Sequence, residues 1–252
     1  MTVAVIPVSG LPMVQPGDDL AALIGEAIDA AGVGPKAQDV VVVCQKVVSK
    51  AEGAVVDLRD VEPSAFAQQL AARTTLGKDA RAYEVVLRET SRIVRNDRGH
   101  LIAETRHGWV CANAGVDESN GLGPGVLTLL PRDADASAEA LRARFVERFG
   151  MELAVVITDT FGRPWREGLV EVAIGCAGMD PLLDLRGRGD LHGKELHHTV
   201  VALADEVAAA AGLVMEKDSG VAVALVRGVR YTPGPGGAAA RLVRTPEFDL
   251  FR

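Results

Sequence analysis

The stretch Ala154 to Gly168, AVVITDTFGRPWREG, decides how the rest of the chain is read. Ala154 to Ile157 is a run of apolar and β-branched residues, the pattern of a buried strand. Thr158, Asp159 and Thr160 break it with polar groups, and a turn at Gly162-Arg163-Pro164 follows. A carboxylate and two hydroxyls at the end of a buried strand face the crevice in which open α/β architectures hold ligands. Asp and Thr offer hard oxygen donors, suited to Mg²⁺ or Mn²⁺. Arg163 and Arg166 stand where they can meet an anion that such a metal carries. The plainer alternative is a turn capped by Asp159 with solvated arginines.

Outward from this stretch, strands and helices alternate. Upstream, Val3 to Val8 predicts a strand, and Asp18-Asp19 the start of a helix reaching Ala31 and stopped by Gly32. Asp39 to Cys44 predicts a second buried strand; its VVVV centre implies cover on both faces. Gln45 to Gly53 follows as a polar turn whose Lys46 and Lys50 could receive phosphates, although no GxxxxGK[ST] is present. Helices are expected over Ser64–Thr74 and Asp79–Thr90, then strands over Ser91–Arg95 and Leu101–Glu104. Cys111 to Asn120, CANAGVDESN, is a second unusual stretch. Its small residues permit close backbone approach to a ligand, and Asp117 and Asn120 are spaced to point at one site. Two loops that each carry an Asp and short polar neighbours are the raw material of a two-metal phosphoryl site. His107 between them reads as a structural hydrogen-bonder or a base.

Gly125 to Leu130 predicts a strand, and Asp135 or Ser137 the start of a helix ending at Gly150. Downstream of the central stretch, Val170 to Cys176 predicts a strand. His192, His197 and His198 fit no zinc spacing and read as a loop entering a helix over Leu196–Ala211. Val221 to Arg227 predicts a last strand, and Thr232 to Gly237, TPGPGG, is flexible by composition.

The chain has 252 residues, enough for one large domain, and a formal net charge of −7. That balance argues against a general nucleic-acid or membrane-surface binder. The three cysteines, Cys44, Cys111 and Cys176, lie in apolar runs without a CxxC pair, so neither a disulfide framework nor a zinc site is expected. The first residues lack a signal-peptide pattern, and no apolar run reaches membrane-spanning length, so a reducing cytoplasm is the expected setting.

Taken in order, Ile6-Pro7 with Gly10-Leu11-Pro12, Gly17 to Leu20, Val48 to Gly53, Glu104 to Gly108, Cys111 to Asn120, Thr158 to Arg166 and Asp249-Leu250-Phe251-Arg252 resemble the coenzyme F420 γ-glutamyl ligase family. The likeness spans essentially the whole chain. It implies an α+β fold of two intertwined subdomains over residues 1–252, without a C-terminal nitroreductase-like domain, assembled as a homodimer. It also implies a GTP-dependent ligase that joins L-glutamate to the lactyl carboxylate of the F420 precursor and then adds γ-linked glutamates. The expected cofactors are two divalent cations per site, Mn²⁺ or Mg²⁺, helped by K⁺; the expected partners are small molecules, with no nucleic acid or membrane.

Residue by residue, Asp117, Asp159 and Thr160 match the family's metal ligands, with a further ligand at Glu216. Leu11, Pro12, Met13, Val14, Gln45, Lys50 and Asn120 match nucleotide-contacting positions, as do Met215, Glu216 and Lys217 within Val214–Val221. Asp117, Asp159 and Lys50 are the expected catalytic groups. Two rivals of other classes remain at this point: a metal-dependent nucleotide phosphohydrolase and a nucleotide-binding regulatory protein without turnover.

Overall fold

The computed structural model describes residues 2–74 and 77–249. The chain begins with β1 (Ala4–Val8), α1 (Leu20–Ala30), β2 (Val40–Cys44) and α2 (Gln45–Ala51). A long excursion follows: β3 (Val55–Asp57), α3 (Ala65–Ala72), α4 (Ala80–Glu89), β4 (Thr90–Asp97), β5 (His100–Thr105), β6 (Val110–Ala112) and β7 (Val126–Thr128). The chain returns through α5 (Ala134–Phe149), β8 (Ala154–Arg163) and β9 (Arg166–Ala177). It closes with β10 (Leu183–Asp184), β11 (Val200–Val201), α6 (Leu203–Gly212), β12 (Val223–Arg227) and α7 (Ala238–Leu242). This is a mixed α/β architecture of the expected α+β class.

The main sheet has five strands in the order β1-β12-β2-β8-β9. Only β2 and β8 run parallel, with Val40 opposite Ala154 and Cys44 opposite Thr158. Side chains alternate across a strand, so VVVV divides between two cores. Val41 and Val43 pack with Ile24 and Ile28 of α1 and Phe145 of α5. Val40 and Val42 pack with Leu203, Val207 and Ala211 of α6 on the opposite face. That two-sided cover is what an uninterrupted apolar run demands.

The excursion builds a β3–β7 pair and a three-stranded sheet, β4-β5-β6. Its loop at Asp117 is pinned to β7: Asp117 N–H donates to Thr128 O (3.0 Å) and Thr128 N–H donates to Asp117 O (2.8 Å). The small residues of Cys111–Gly115 serve packing here. Ala114 is buried beside Val86 and Leu101, and a Cβ on Gly115 would lie 2.6 Å from Leu130 Cγ.

Several expectations change. The polar stretch after β2 is the helix α2, with no Gly or Pro to break it before Gly53. β8 does not end at Ile157. It runs to Arg163 because β9 supplies ladder partners after β2 has stopped, so the β8–β9 hairpin projects beyond the sheet. Asp133, not Asp135 or Ser137, caps α5, accepting from Ala136 N–H at 2.9 Å. Asp135 instead accepts from the Cys176 and Ala238 amides, a tertiary role.

The last long helix starts at Leu203 rather than Leu196, because β11 pairs with β10 first. TPGPGG is tied down: Gly237 N–H donates to Cys176 O (2.9 Å), and a Cβ on Gly236 would fall 1.9 Å from that oxygen. The closing Leu250-Phe251-Arg252 lies outside the described residues.

Candidate functional site

A cavity of about 450 Å³ opens where the parallel pair β2–β8 ends. Five separate segments wall it: the loop 11–14, helix α2, the loop 117–120 of the excursion, the hairpin β8–β9, and residues 215–222. The end of a parallel strand pair is where ordinary α/β sheets leave an open crevice.

Leu11, Pro12, Met13 and Val14 line one wall. Lys50 reaches them from α2. It is only 4 % exposed, and its Nζ lies 3.6 Å from Met13 Sδ. Burial, then the neighbouring Lys46 charge, lowers the Lys50 pKa. Asn120 donates from Nδ2 to Lys217 O (3.1 Å), joining the excursion to the wall formed by Met215, Glu216 and Lys217. Gln45 is the one expected nucleotide contact that does not line the cavity. It is 1 % exposed, accepts from Ser49 Oγ (2.8 Å), and its Nε2 has no partner. As the first residue of α2, it points into the core, whereas a turn would have left it free.

Asp117 from the excursion and Asp159 from β8 come together here. Lys46 Nζ donates to Asp117 Oδ2 (2.8 Å), Ser119 O (2.7 Å) and Ser119 Oγ (3.0 Å). Burial works against ionisation of Asp117, but Lys46 and the Ser119 bonds outweigh it and hold its carboxyl below the usual range. Asp159 differs. Its side chain accepts from the Thr160 N–H (2.8 Å), yet burial pushes its pKa up to about 7, with the charges of Glu171 and Asp117 adding to the rise. Thr160 lines the same cavity and donates its hydroxyl to Glu171.

Among the charged residues lining the cavity, Lys46, read only as a possible phosphate contact, and Glu171 stand outside the set matched to the family. A hairpin without irregularities would put Leu169 opposite Thr160; a register shift at Gly162/Arg163 puts Glu171 there. Nothing in the linear pattern marks that shift. Lys46 carried a signal, as a lysine directly after a buried strand.

Neither Arg163 nor Arg166 lines this cavity. The Arg163 guanidinium donates back to Glu167 O and Gly168 O in its own hairpin, and Arg166 is exposed. His107 sits outside the cavity, its Nε2 2.9 Å from Arg132 O, and Glu104 pairs with Arg92. Burial raises all three thiols, Cys44 to about 11 and Cys111 and Cys176 to about 12, so none is a ready nucleophile.

Among the described residues, no three or more His, Cys, Asp or Glu side chains close round one point as a complete metal site. The donors present suit a hard cation that completes its shell with ligand oxygens: Asp117, Asp159 and the Thr160 hydroxyl, with Glu216 at the rim. Mg²⁺ sites are ordinarily of this kind, one or two carboxylates plus substrate phosphates. Bound positive charge would offset the burial and like charge that raise Asp159.

Fold and cavity together define a class: an α+β protein with hard-oxygen donors and lysine ammoniums in one cleft at a sheet end. The family model for F420-0:Gamma-glutamyl ligase matches residues 10–228. Similar proteins include the Coenzyme F420:L-glutamate ligase of Methanothermobacter thermautotrophicus, 46 % identical over the full length of both chains. Proteins of the same name from Methanopyrus kandleri (48 %) and Archaeoglobus fulgidus (42 %) match all of this chain and 98 % and 97 % of their own. The chain belongs to the F420-0:Gamma-glutamyl ligase family.

Proposed function

We propose that this protein joins L-glutamate to the lactyl carboxylate of the F420 precursor at the expense of GTP, and then adds further γ-linked glutamates. The observation that carries this reading is the convergence of Asp117 and Asp159 with Lys46 and Lys50 on one cavity. A carboxylate is a poor electrophile, so amide formation requires an activated acyl group. In our reading the substrate carboxylate oxygen attacks the γ-phosphorus of GTP, and GDP leaves with the electron pair of the broken P–O bond. The glutamate amine then attacks the acyl carbon, loses a proton, and expels phosphate.

Such phosphoryl transfer depends on positioning and charge neutralisation rather than on covalent help from the protein. Asp117, Asp159 and Thr160 would hold two Mn²⁺ or Mg²⁺ ions with Glu216, and those ions supply charge neutralisation at the phosphates. Lys50 and Lys46 place ammonium groups beside the same space. The Leu11–Val14 loop and the Met215–Lys217 segment form walls against which the nucleotide would rest. K⁺ as an auxiliary ion and a cytoplasmic setting belong to the same proposal.

The reaction path is tested with ¹⁸O in the lactyl carboxylate of the precursor. One turnover with GTP and glutamate should carry one labelled oxygen into the released phosphate. Unlabelled phosphate beside a normal amide product would overturn the acyl phosphate route. GTP hydrolysis indifferent to glutamate would make the protein a hydrolase instead.

We also propose a homodimer. β4 is an edge strand whose residues are mostly exposed, Ile93 and Val94 among them, and an open edge with apolar side chains favours pairing. Light scattering giving twice the monomer mass is the expected result; the monomer mass at micromolar concentration would overturn it.

Among the described residues, no helix is long and apolar enough to cross a membrane.

A further inference from the structure

Glu171 stands opposite Thr160 in the β8–β9 ladder, so both side chains leave the hairpin on the same face, into the cavity. The Thr160 hydroxyl donates to Glu171 Oε1. A hydroxyl has one proton and two lone pairs. Once the proton is committed to Glu171, both lone pairs are free for a cation. Without an acceptor the hydroxyl rotates and can turn its proton toward the cation instead.

A second observation comes from another element. Gly212 is the last residue of α6, and its φ lies outside the left-handed range, so its backbone does not call for glycine. Alanine is the better helix former. What excludes it is Glu171: a Cβ on Gly212 would lie 2.8 Å from Glu171 Cγ and 3.4 Å from its Cβ. Those atoms are the stem of the side chain, not its movable end. Among the described residues, no Lys or Arg nitrogen lies within ion-pair distance of the Glu171 carboxylate. The missing Cβ at Gly212 therefore leaves room beside α6 for a carboxylate that lines the cavity and, among the described residues, is bonded by the Thr160 hydroxyl.

We propose that Glu171 is a positioning residue that orients the Thr160 hydroxyl for cation binding, and that Gly212 preserves the space Glu171 needs to do so. The inference rests on Thr160 being a cation ligand, as in the reading above. Outer hydrogen-bond partners of metal ligands characteristically change affinity about 10- to 100-fold when removed.

The test is Mn²⁺ binding in the presence of GDP, followed by the electron paramagnetic resonance of free Mn²⁺. Glu171→Leu removes the acceptor and should weaken Mn²⁺ binding at least tenfold. Glu171→Gln keeps an acceptor oxygen and should stay within a few-fold of the unaltered protein. In a Thr160→Val background, Glu171→Leu should add no further loss, because the hydroxyl it acts through is gone. Gly212→Ala should weaken Mn²⁺ binding several-fold while circular dichroism stays native. If Glu171→Leu does not fold, Gly212→Ala and Glu171→Gln carry the same test.

Unchanged Mn²⁺ affinity in both Glu171→Leu and Gly212→Ala would overturn the proposal. An equal loss from Glu171→Leu with and without the Thr160 hydroxyl would overturn it too, since Glu171 would then act on the ion directly. If the unaltered protein with GDP binds no Mn²⁺, the cation-site reading itself falls and takes this inference with it.

Discussion

Asp159 stands on the five-stranded sheet and Asp117 on the excursion between α2 and α5, and the two supports are built differently. The β2 and β8 residues Val40–Val43 and Ala154–Ile157 have no exposure at all, sandwiched between two large cores. Among the described residues, the excursion rests on three clusters of five, four and three buried residues. Their charges differ as well. Asp117 is paired with Lys46, which holds its carboxyl below the usual range, whereas burial first, and then the like charges of Glu171 and Asp117, push Asp159 up to about 7. The contrast teaches that the two acids are not interchangeable. Asp159 stands on the fully buried sheet without a lysine hydrogen bond; Asp117 is already bonded to Lys46, on a support with smaller cores, which is expected to open more easily.

The largest effect should come from the acid on the main sheet. Asp159→Asn keeps the shape and removes the charge, so turnover should fall on the order of a thousandfold or more while circular dichroism stays native. Normal Mn²⁺-dependent turnover in that variant would remove Asp159 from the chemistry.

Next comes the difference between the supports. Ile157→Ala should lower global stability by about 2–5 kcal/mol, read from the denaturant midpoint. Leu101→Ala, in the excursion, should instead speed amide exchange in β5 far more than in β2. Equal acceleration in both strands would show one cooperative unit and dissolve the comparison.

Lys50→Ala should weaken GTP binding about tenfold, near 1.4 kcal/mol. It should also cost some stability, because a residue this buried leaves a void. Unchanged GTP affinity by calorimetry would reduce Lys50 to a packing element.

The smallest effect is expected at Arg163, which bonds only its own hairpin. Arg163→Ala should change stability by under about 1 kcal/mol and leave KM for GTP within about twofold. A large rise in KM would put an anion at the hairpin after all.

Much of the main sheet was legible from residue order. A VVVV run cannot be left exposed on either face, and Asp19 before an apolar helical stripe is a cap by composition. In the excursion, α3, α4, β4, β5 and β7 were located to within a few residues, while the three-residue strands β3 and β6 were not foreseen, being too short to show a period. Less legible were the segments where polar composition hides regular structure. Gln45 to Ala51 looks like a turn because four of its seven residues are polar, yet it is a helix whose Gln45 and Ser49 bond each other inside the protein. Thr158 to Arg163 looks like a loop because β2 stops there, yet β9 continues the ladder.

Taken alone, the sequence determined the chemistry on offer: Asp117, Asp159, Thr160 and Lys50, each set beside a buried strand or a ligand-sized turn. Those identities follow from residue type and local pattern, which are properties of neighbours along the chain. The tertiary structure decided which of them meet. It brought Lys46 to Asp117 across 71 residues, placed Glu171 rather than Leu169 opposite Thr160, and turned Gln45 and Arg163 away from the cavity. Helix phase and strand register settle such pairings, and both are set by packing between segments far apart in sequence.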